Sequence, residues 1–153
     1  MAKRDLPKLY FDEHVKPDVI MAFKEEGFKC LLISKTSKYA GRDEKDYIQE
    51  IYAEEKVFVT GDIEFIRYVV ANKIKHAGIL GVPSTWDNEI AGKASAALAG
   101  LVKTRVRQLG KNSLKKVVLY VDDDGYHVIA KGIQRLVYSM DKLLIDLDIP
   151  DYP

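Results

Sequence analysis

Short apolar runs alternate with longer amphipathic segments through the first three quarters of the chain, and this pattern constrains the fold most strongly. The runs have the length of buried strands, and the segments have the length and 3.6-residue period of helices. The predicted strands span residues 9–12, 28–33, 57–60 and 76–82. Strands separated by helices pair in parallel, so we predict an α/β fold with a mostly parallel central sheet.

Helix signals occupy the segments between these strands. Pro17 suits the first turn of a helix and Gly27 suits its end, so a first helix is predicted between them. Asp43 is a good N-cap for a second helix, and Asp62 can cap a third directly after the third strand. The longest predicted helix spans residues 88–109 and ends before a glycine.

The C-terminal part of the chain has a different pattern. Strand-like runs at 116–121 and 126–130 flank the acidic stretch 122–125, DDDG. Acids before a glycine also occur in calcium loops, but between two strands they favour a hairpin turn. The apolar spacing of 133–149 is compatible with a helix or with strands. We therefore predict a C-terminal hairpin and leave the tail that follows it open.

Composition limits the number of domains and the kinds of partner. The chain has 153 residues, of which 47% are hydrophobic, so it can bury one sizeable core and is short for two domains. Its formal net charge of +1 neither requires nor excludes a nucleic-acid partner. The only cysteine, Cys30, excludes an internal disulfide. No secretory or membrane-spanning apolar run is present, so we expect a cytoplasmic protein with no membrane partner.

Two aspartates that end predicted strands are the strongest functional signal. Asp12 closes the first strand and Asp62 follows the third, and parallel strands present their carboxyl ends at one edge of a sheet. Carboxylates that converge there provide the oxygen ligands that Mg²⁺ and Mn²⁺ prefer. Either residue alone is commonly a turn or cap residue, but charge after two buried strands favours function. We therefore predict a metal site suited to phosphate chemistry.

Further acids can complete this set. A third carboxylate can come from the start of the second helix, where Asp43, Glu44 and Asp46 are the candidates and Asp43 is also the best cap. Glu64, on the first turn of the third helix, can face the same pocket or face solvent. The sequence alone does not decide among these acids.

Three ordered motifs resemble the PIN-like nucleases, specifically the small PIN-like domains related to VapC-type toxin ribonucleases. Residues 9–17, LYFDEHVKP, are similar to the opening strand and Asp-Glu of that family. Residues 57–65, VFVTGDIEF, are similar to its second signature, a strand followed by Thr-x-Asp-x-Asp-Phe, and 76–82 resembles the strand after it. The motifs cover about residues 8 to 82 of a single PIN-like domain expected over 1–153, and no motif matches the extension 88–153.

The resemblance implies a three-layer α/β/α sandwich and a Mg²⁺- or Mn²⁺-dependent endoribonuclease that hydrolyses phosphodiester bonds. By position, Asp12 and Asp62 would be metal ligands, and Glu64 would replace the second aspartate of the family signature as a further ligand. Asp46 is the favoured acid of the second helix, which completes a predicted catalytic set of Asp12, Asp46, Asp62 and Glu64. Thr60 would orient a ligating carboxylate or a water molecule.

The resemblance also implies partners. Single-stranded RNA would be the substrate, contacted by Lys16, Arg42, Thr60 and Arg67, and the protein would be the toxin of a toxin–antitoxin pair with an antitoxin protein as partner. A homodimer is a further expectation from the apolar C-terminal segment. The alternative function is a catalytically silent PIN-like module that uses the same fold to bind a partner protein.

Overall fold

A seven-stranded sheet forms the centre of the molecule. The computed structural model describes residues 6–145 and 151–153. The strand order is β2-β1-β3-β4-β5-β6-β7, in which β1 to β5 pair in parallel and the last two strands pair antiparallel. The strands are β1 Leu9–Phe11, β2 Cys30–Leu32, β3 Val57–Thr60, β4 Ile79–Gly81, β5 Val117–Asp122, β6 Gly125–Ala130 and β7 Ile133–Ser139.

Helices cover both faces of this sheet. They are α1 Pro17–Glu25, α2 Glu44–Ala53, α3 Ile63–Ala71, α4 Asn88–Leu109 and α5 Met140–Ile145. One hydrophobic cluster joins α1, α4 and α5 to one face, and a second joins α2 and α3 to the other. The fold is therefore an α/β three-layer sandwich with a mostly parallel sheet, which confirms the predicted fold class.

Local signals in the sequence set most of these boundaries. Asp43, Asp62 and Asp87 each accept a hydrogen bond from a backbone N–H in the first turn of α2, α3 and α4 respectively, as N-caps do. Gly110 ends α4 with a φ of 86°, a conformation that glycine adopts readily. The predicted helix 88–109 and the predicted hairpin are confirmed.

Two strands are shorter than the apolar runs that predicted them. The run 28–33 yields only Cys30–Leu32, because Ile33–Lys35 turns into a 3₁₀ helix. The run 76–82 yields only Ile79–Gly81, because Gly78 has a φ of 133° and its N–H donates to the ring of His76 in a local turn. Four of the flanking residues, Phe28, Ile33, Ala77 and Val82, are buried although they are not in strands, so the apolar runs extend beyond the strands.

The segment 133–149, which periodicity left open, contains both element types. Its first part is β7 and its second part begins α5, while residues 146–149 lie outside the described residues. Strand β7 pairs with β6 on one side and forms the edge of the sheet on the other. In the described part of the chain, no helix is both long enough and apolar enough to cross a membrane.

A groove lies between α3 and the exposed face of the last three strands. Its floor includes Val118 and Tyr120 of β5 and Ile129 of β6, and Val70 of α3 contributes to its wall. The helix approaches closely where β4 passes beneath it at Gly81. A Cβ at this glycine would lie 2.8 Å from Cδ1 of Ile66 and 2.9 Å from Cβ of Tyr120.

Candidate active site at the carboxyl edge of the sheet

Chain topology creates a crevice between β1 and β3. Strand β1 lies between β2 and β3, so the chain reverses its direction across the sheet at this point. Helices α1 and α2 consequently pack on opposite faces. Ligands in open α/β sheets bind outside the carboxyl ends of the strands at such a reversal. Asp12 follows β1 and Asp62 follows β3 at this crevice.

The hydroxyl group of Thr60 links the two aspartates. It donates to Oδ2 of Asp12 over 3.2 Å and accepts a hydrogen bond from the N–H of Asp62 over 3.1 Å. The other oxygen of Asp12 accepts from the N–H of Glu13 over 2.7 Å. Asp62 is also fixed, because its Oδ1 accepts from two N–H groups at the start of α3. Both carboxylates are therefore oriented by the backbone and by one buried threonine.

Glu44 is the third acid of the crevice. Asp43 caps α2, which places Glu44 at the first helical position. The carboxyl group of Glu44 is half-buried and within hydrogen-bonding reach of the carboxyl group of Asp62. Burial, that contact and the charge of Asp12 together raise the pKa of Glu44. We call Asp12, Glu44 and Asp62 the acidic crevice.

The acidic crevice has an excess of negative charge. Asp12 is only 8% exposed, and this burial raises its pKa against the opposing effects of its hydrogen bonds and of nearby His14. Among the described residues, no lysine or arginine forms an ion pair with any of the three carboxylates. Carboxylates held together without a cation resist ionisation, and a bound hard cation would remove that resistance.

Two other predicted acids lie elsewhere. Asp46 is exposed, so Glu44 rather than Asp46 occupies the crevice. The backbone carbonyl of Asp46 lies 3.5 Å from a guanidinium nitrogen of Arg42. An α-helix rotates about 100° per residue, so side chains that are two residues apart point to nearly opposite sides of the helix. Glu64 is 75% exposed and pairs with Arg67 over 2.8 Å. The structure therefore directs the carboxylate of Glu64 to solvent, and its prediction as a metal ligand is not supported.

The predicted RNA-contacting residues are also differently placed. Thr60 is fully buried, so it orients Asp12 and cannot contact a substrate. Arg42 is held by Glu50 at 2.5 Å and by the carbonyl of Lys38. Lys16 lies at the start of α1 and donates to the carbonyl of Trp86. Of the four, Arg67 is the most exposed cation, and it lines the groove beside α3.

A second group of ligating side chains lies at the end of β5. One ligand atom each of Asp122, Asp124 and His127 lies within 4.8 Å of the others, and among the described residues only this set of three meets that spacing. The group could hold a metal ion. Its histidine is buried, Asp122 is half-buried and Asp124 is exposed, so the group opens to solvent on one side.

Strand pairing positions this second group. The turn between β5 and β6 brings Asp122 opposite Gly125, and Nε2 of His127 then lies 2.6 Å from Oδ1 of Asp122. The ring of His127 stacks on Tyr120 at a centroid distance of 4.7 Å, and its Nδ1 lies 3.4 Å from the amide nitrogen of Gln134. The predicted hairpin turn is confirmed, but the sequence analysis missed His127. The spacing Asp-x-Asp-x-x-His across a two-residue turn is the signal that points to it.

The carboxylates of the acidic crevice are more widely spaced than the ligands of the group at β5. The carboxylates of Asp12, Glu44 and Asp62 do not reach the mutual 4.8 Å spacing that the described group at β5 has. Mg²⁺ keeps several water molecules and is usually held by one or two carboxylates together with substrate phosphates. One or two carboxylates of the acidic crevice would therefore be enough to hold Mg²⁺ or Mn²⁺ when a substrate phosphate completes the ligand set.

Comparison with protein-family models, with curated proteins and with solved structures finds no match. The likeness to PIN-like nucleases is therefore carried by the three sequence motifs.

Proposed function

We propose that this protein is a metal-dependent endoribonuclease whose reaction takes place at the acidic crevice. The observation that carries the proposal is the meeting of three carboxylates, Asp12, Glu44 and Asp62, at the strand reversal of an α/β sheet, with no ion pair to any lysine or arginine that the structure describes. Their oxygen donors suit a hard divalent cation. The motif likeness to PIN-like ribonucleases supports the choice of RNA as substrate.

Each residue of the acidic crevice has a distinct task in this proposal. Asp12 and Asp62 hold Mg²⁺ or Mn²⁺, which would neutralise phosphodiester charge and activate water when bound. Thr60 keeps Oδ2 of Asp12 in place through its hydroxyl group. Glu44 has a raised pKa, so its carboxyl group can hold and return a proton nearer neutral pH than an ordinary glutamate.

The decisive test is metal-dependent cleavage of single-stranded RNA. We expect Asp12→Asn and Asp62→Asn to lower the cleavage rate by at least about a hundredfold, because each removes a charged metal ligand. Asp46→Asn is the matched control, since it makes the same chemical change on an exposed helix position. Rates are measured in a titration of Mn²⁺ and Mg²⁺, and circular dichroism verifies the fold of each variant.

The same assay distinguishes Glu44 from Asp46. Glu44→Gln should lower the rate of RNA cleavage and should flatten the acidic limb of the curve of rate against pH. Asp46→Asn should leave both the rate and the curve unchanged. Equal rates for wild type, Asp12→Asn and Asp62→Asn would overturn the proposal, and so would metal-independent cleavage.

A second candidate function is a silent interaction module. The observation that favours it is the open edge of β7, where Ile133 is 70% exposed and Leu136 is 51% exposed. A protein partner, such as an antitoxin or a second copy of the chain, would cover this edge. A well-folded sample that binds neither Mn²⁺ nor RNA but associates through β7 would favour this function.

A further inference from the structure

The groove beside α3 carries a strong positive charge at one end. Around the start of β5 it is lined by Lys73, Lys75, Lys116 and Lys131, all of them exposed, and no acidic residue lines that part. Among the described residues, none of these four lysines forms an ion pair. His76 also lines the groove, but burial lowers its pKa to about 4, so the lysines carry the charge at neutral pH.

Another cavity shows that this imbalance is not general. A cavity of about 640 Å³ lined by residues of α4 and of the loop before β1 also contains lysines. However, Glu26, Glu54 and Glu55 line it as well, and two of its lysines form ion pairs with these glutamates. The excess of cations without acids is therefore a property of the part of the groove around the start of β5.

The backbone makes the choice of lysine unusual. Lys73, Lys116 and Lys131 have φ angles of 52°, 60° and 53°, in the left-handed region. Glycine and asparagine adopt this region most readily, and lysine does so at a cost in free energy. Lys131 occupies the first position of a two-residue hairpin turn in which asparagine before glycine is the usual choice. Local conformation alone does not favour lysine at these positions.

The groove leads from these lysines toward the carboxyl edge. Two neighbouring cavities, of about 500 and 570 Å³, share Val70 and Ile129 in their walls and lie one after the other along β5. Six residues of strand correspond to about 20 Å. The far end is lined by Arg67, Trp86 and Tyr120, and also by Asp122 and Asp123 on the side of the β5–β6 turn, at the same edge of the sheet as the acidic crevice. An apolar floor with cations and aromatic rings suits a polymer of phosphates and flat bases.

We infer that this groove binds a single strand of RNA, with Lys73, Lys116 and Lys131 contacting its phosphates and directing it toward the acidic crevice. The choice of RNA rests on the proposed function, whereas the choice of a polyanion rests on the four lysines, which form no ion pair within the described part of the chain. Arg67 contacts the same strand nearer the crevice.

The test uses the full chain in EDTA, so that binding is measured without cleavage. The probe is a fluorescein-labelled oligouridylate of about 12 nucleotides, followed by fluorescence anisotropy. The key variant is Lys73→Asn with Lys116→Asn and Lys131→Asn, because asparagine suits the left-handed backbone while it removes three charges. We expect roughly tenfold weaker binding or more, and a slope of log affinity against log salt that is reduced by about 2.

A matched triple variant separates the groove from net charge. Lys24→Gln with Lys93→Gln and Lys142→Gln removes three charges from exposed positions on α1, α4 and α5, which pack on the other face of the sheet. This variant should bind the oligouridylate as wild type does. Equal decreases in affinity for the oligouridylate in both triple variants, or no decrease in the asparagine variant, would overturn the inference.

Three further probes identify the polyanion. Tighter binding of oligothymidylate, of duplex RNA or of poly-glutamate than of oligouridylate would overturn the assignment to single-stranded RNA. The outcome is also distinct from that of the proposed function. If RNA binds through the lysines but is never cleaved, only the nuclease proposal is overturned. If RNA is cleaved and the asparagine variant binds it as wild type does, only the inference about the groove is overturned.

Discussion

Thr60 decides how the two aspartates of the acidic crevice are held. Its hydroxyl group is buried between them, where it donates to one and accepts from the backbone of the other. A valine of similar shape would fill the same space but would leave Oδ2 of Asp12 without this donor. Because buried acceptors are costly to leave unpaired, the threonine hydroxyl is needed for orientation as well as for packing.

His127 makes the group at β5 different from the acidic crevice in its metal preference. An imidazole nitrogen with carboxylates suits Zn²⁺ or Co²⁺, whereas carboxylates alone suit Mg²⁺. We expect calorimetric titration to detect binding of Zn²⁺ that is weakened at least about tenfold in Asp124→Asn. Asp123→Asn, the neighbouring turn acid outside the group, is the control and should bind as wild type does. Equal affinities for wild type and Asp124→Asn would show that these residues do not form a site.

The position of a single acid on a helix was the main limit on predicting the site from sequence. Both Glu44 and Asp46 belong to the first turn of α2, and the sequence pattern admits either register. Which one faces the crevice depends on how Tyr47 and Ile48 pack beneath the helix, a tertiary property. Asp12 and Asp62 were predictable because strand ends in a parallel sheet share one edge whatever the packing.

Helix α2 brings its first residue to the acidic crevice only because its N-terminus is well defined. Asp43 accepts a hydrogen bond from the N–H of Lys45 over 2.8 Å. We expect Asp43→Ala to lower the free energy of unfolding by about 1 kcal/mol, as the loss of a cap does. Asp46→Ala, an exposed acid without this cap contact, should lower it by less. Urea unfolding of both variants measures these changes in the free energy of unfolding. Equal decreases for Asp43→Ala and Asp46→Ala would show that the cap contact of Asp43 does not stabilise α2.

Strands β2 and β4 show a second limit of sequence patterns. Apolar residues continue beyond each strand because the neighbouring turns are also buried, so the runs predict strands that are too long. The register of β6 with β5, which brings His127 to Asp122, and the switch from β7 to α5 depend on contacts between distant residues. Helix α4 was predictable to the residue because a cap, a long amphipathic stretch and a final glycine are all local.

The charge of the acidic crevice makes the stability of the entire fold depend on pH. Burial and the neighbouring carboxylates raise the pKa of Glu44 in the folded protein. The stability that a protonated Glu44 contributes is therefore complete below the unfolded value of about 4.3 and is lost as the pH rises through the raised folded value. Removal of the charge should recover part of that loss.

Glu44→Gln tests this dependence. We expect a higher melting temperature than wild type at about pH 7.5 in EDTA, and no difference at about pH 3, where the glutamate of wild type is almost fully protonated in both states. Mg²⁺ should raise the melting temperature of wild type more than that of the variant, because it binds the folded acids. A variant that melts below wild type at the higher pH would contradict the sign of the effect.

Gly81 has a consequence for the whole molecule. Helix α3 packs on β4 where the strand has no side chain, and Ile66 of α3 and Tyr120 of β5 occupy the space that a Cβ would take. The packing of α3 and β5 against β4 at this point therefore leaves no room for a methyl group. An alanine here would push Ile66 and Tyr120 away from β4, so we expect Gly81→Ala to move α3 relative to β5 and thereby to change the width of the groove between them.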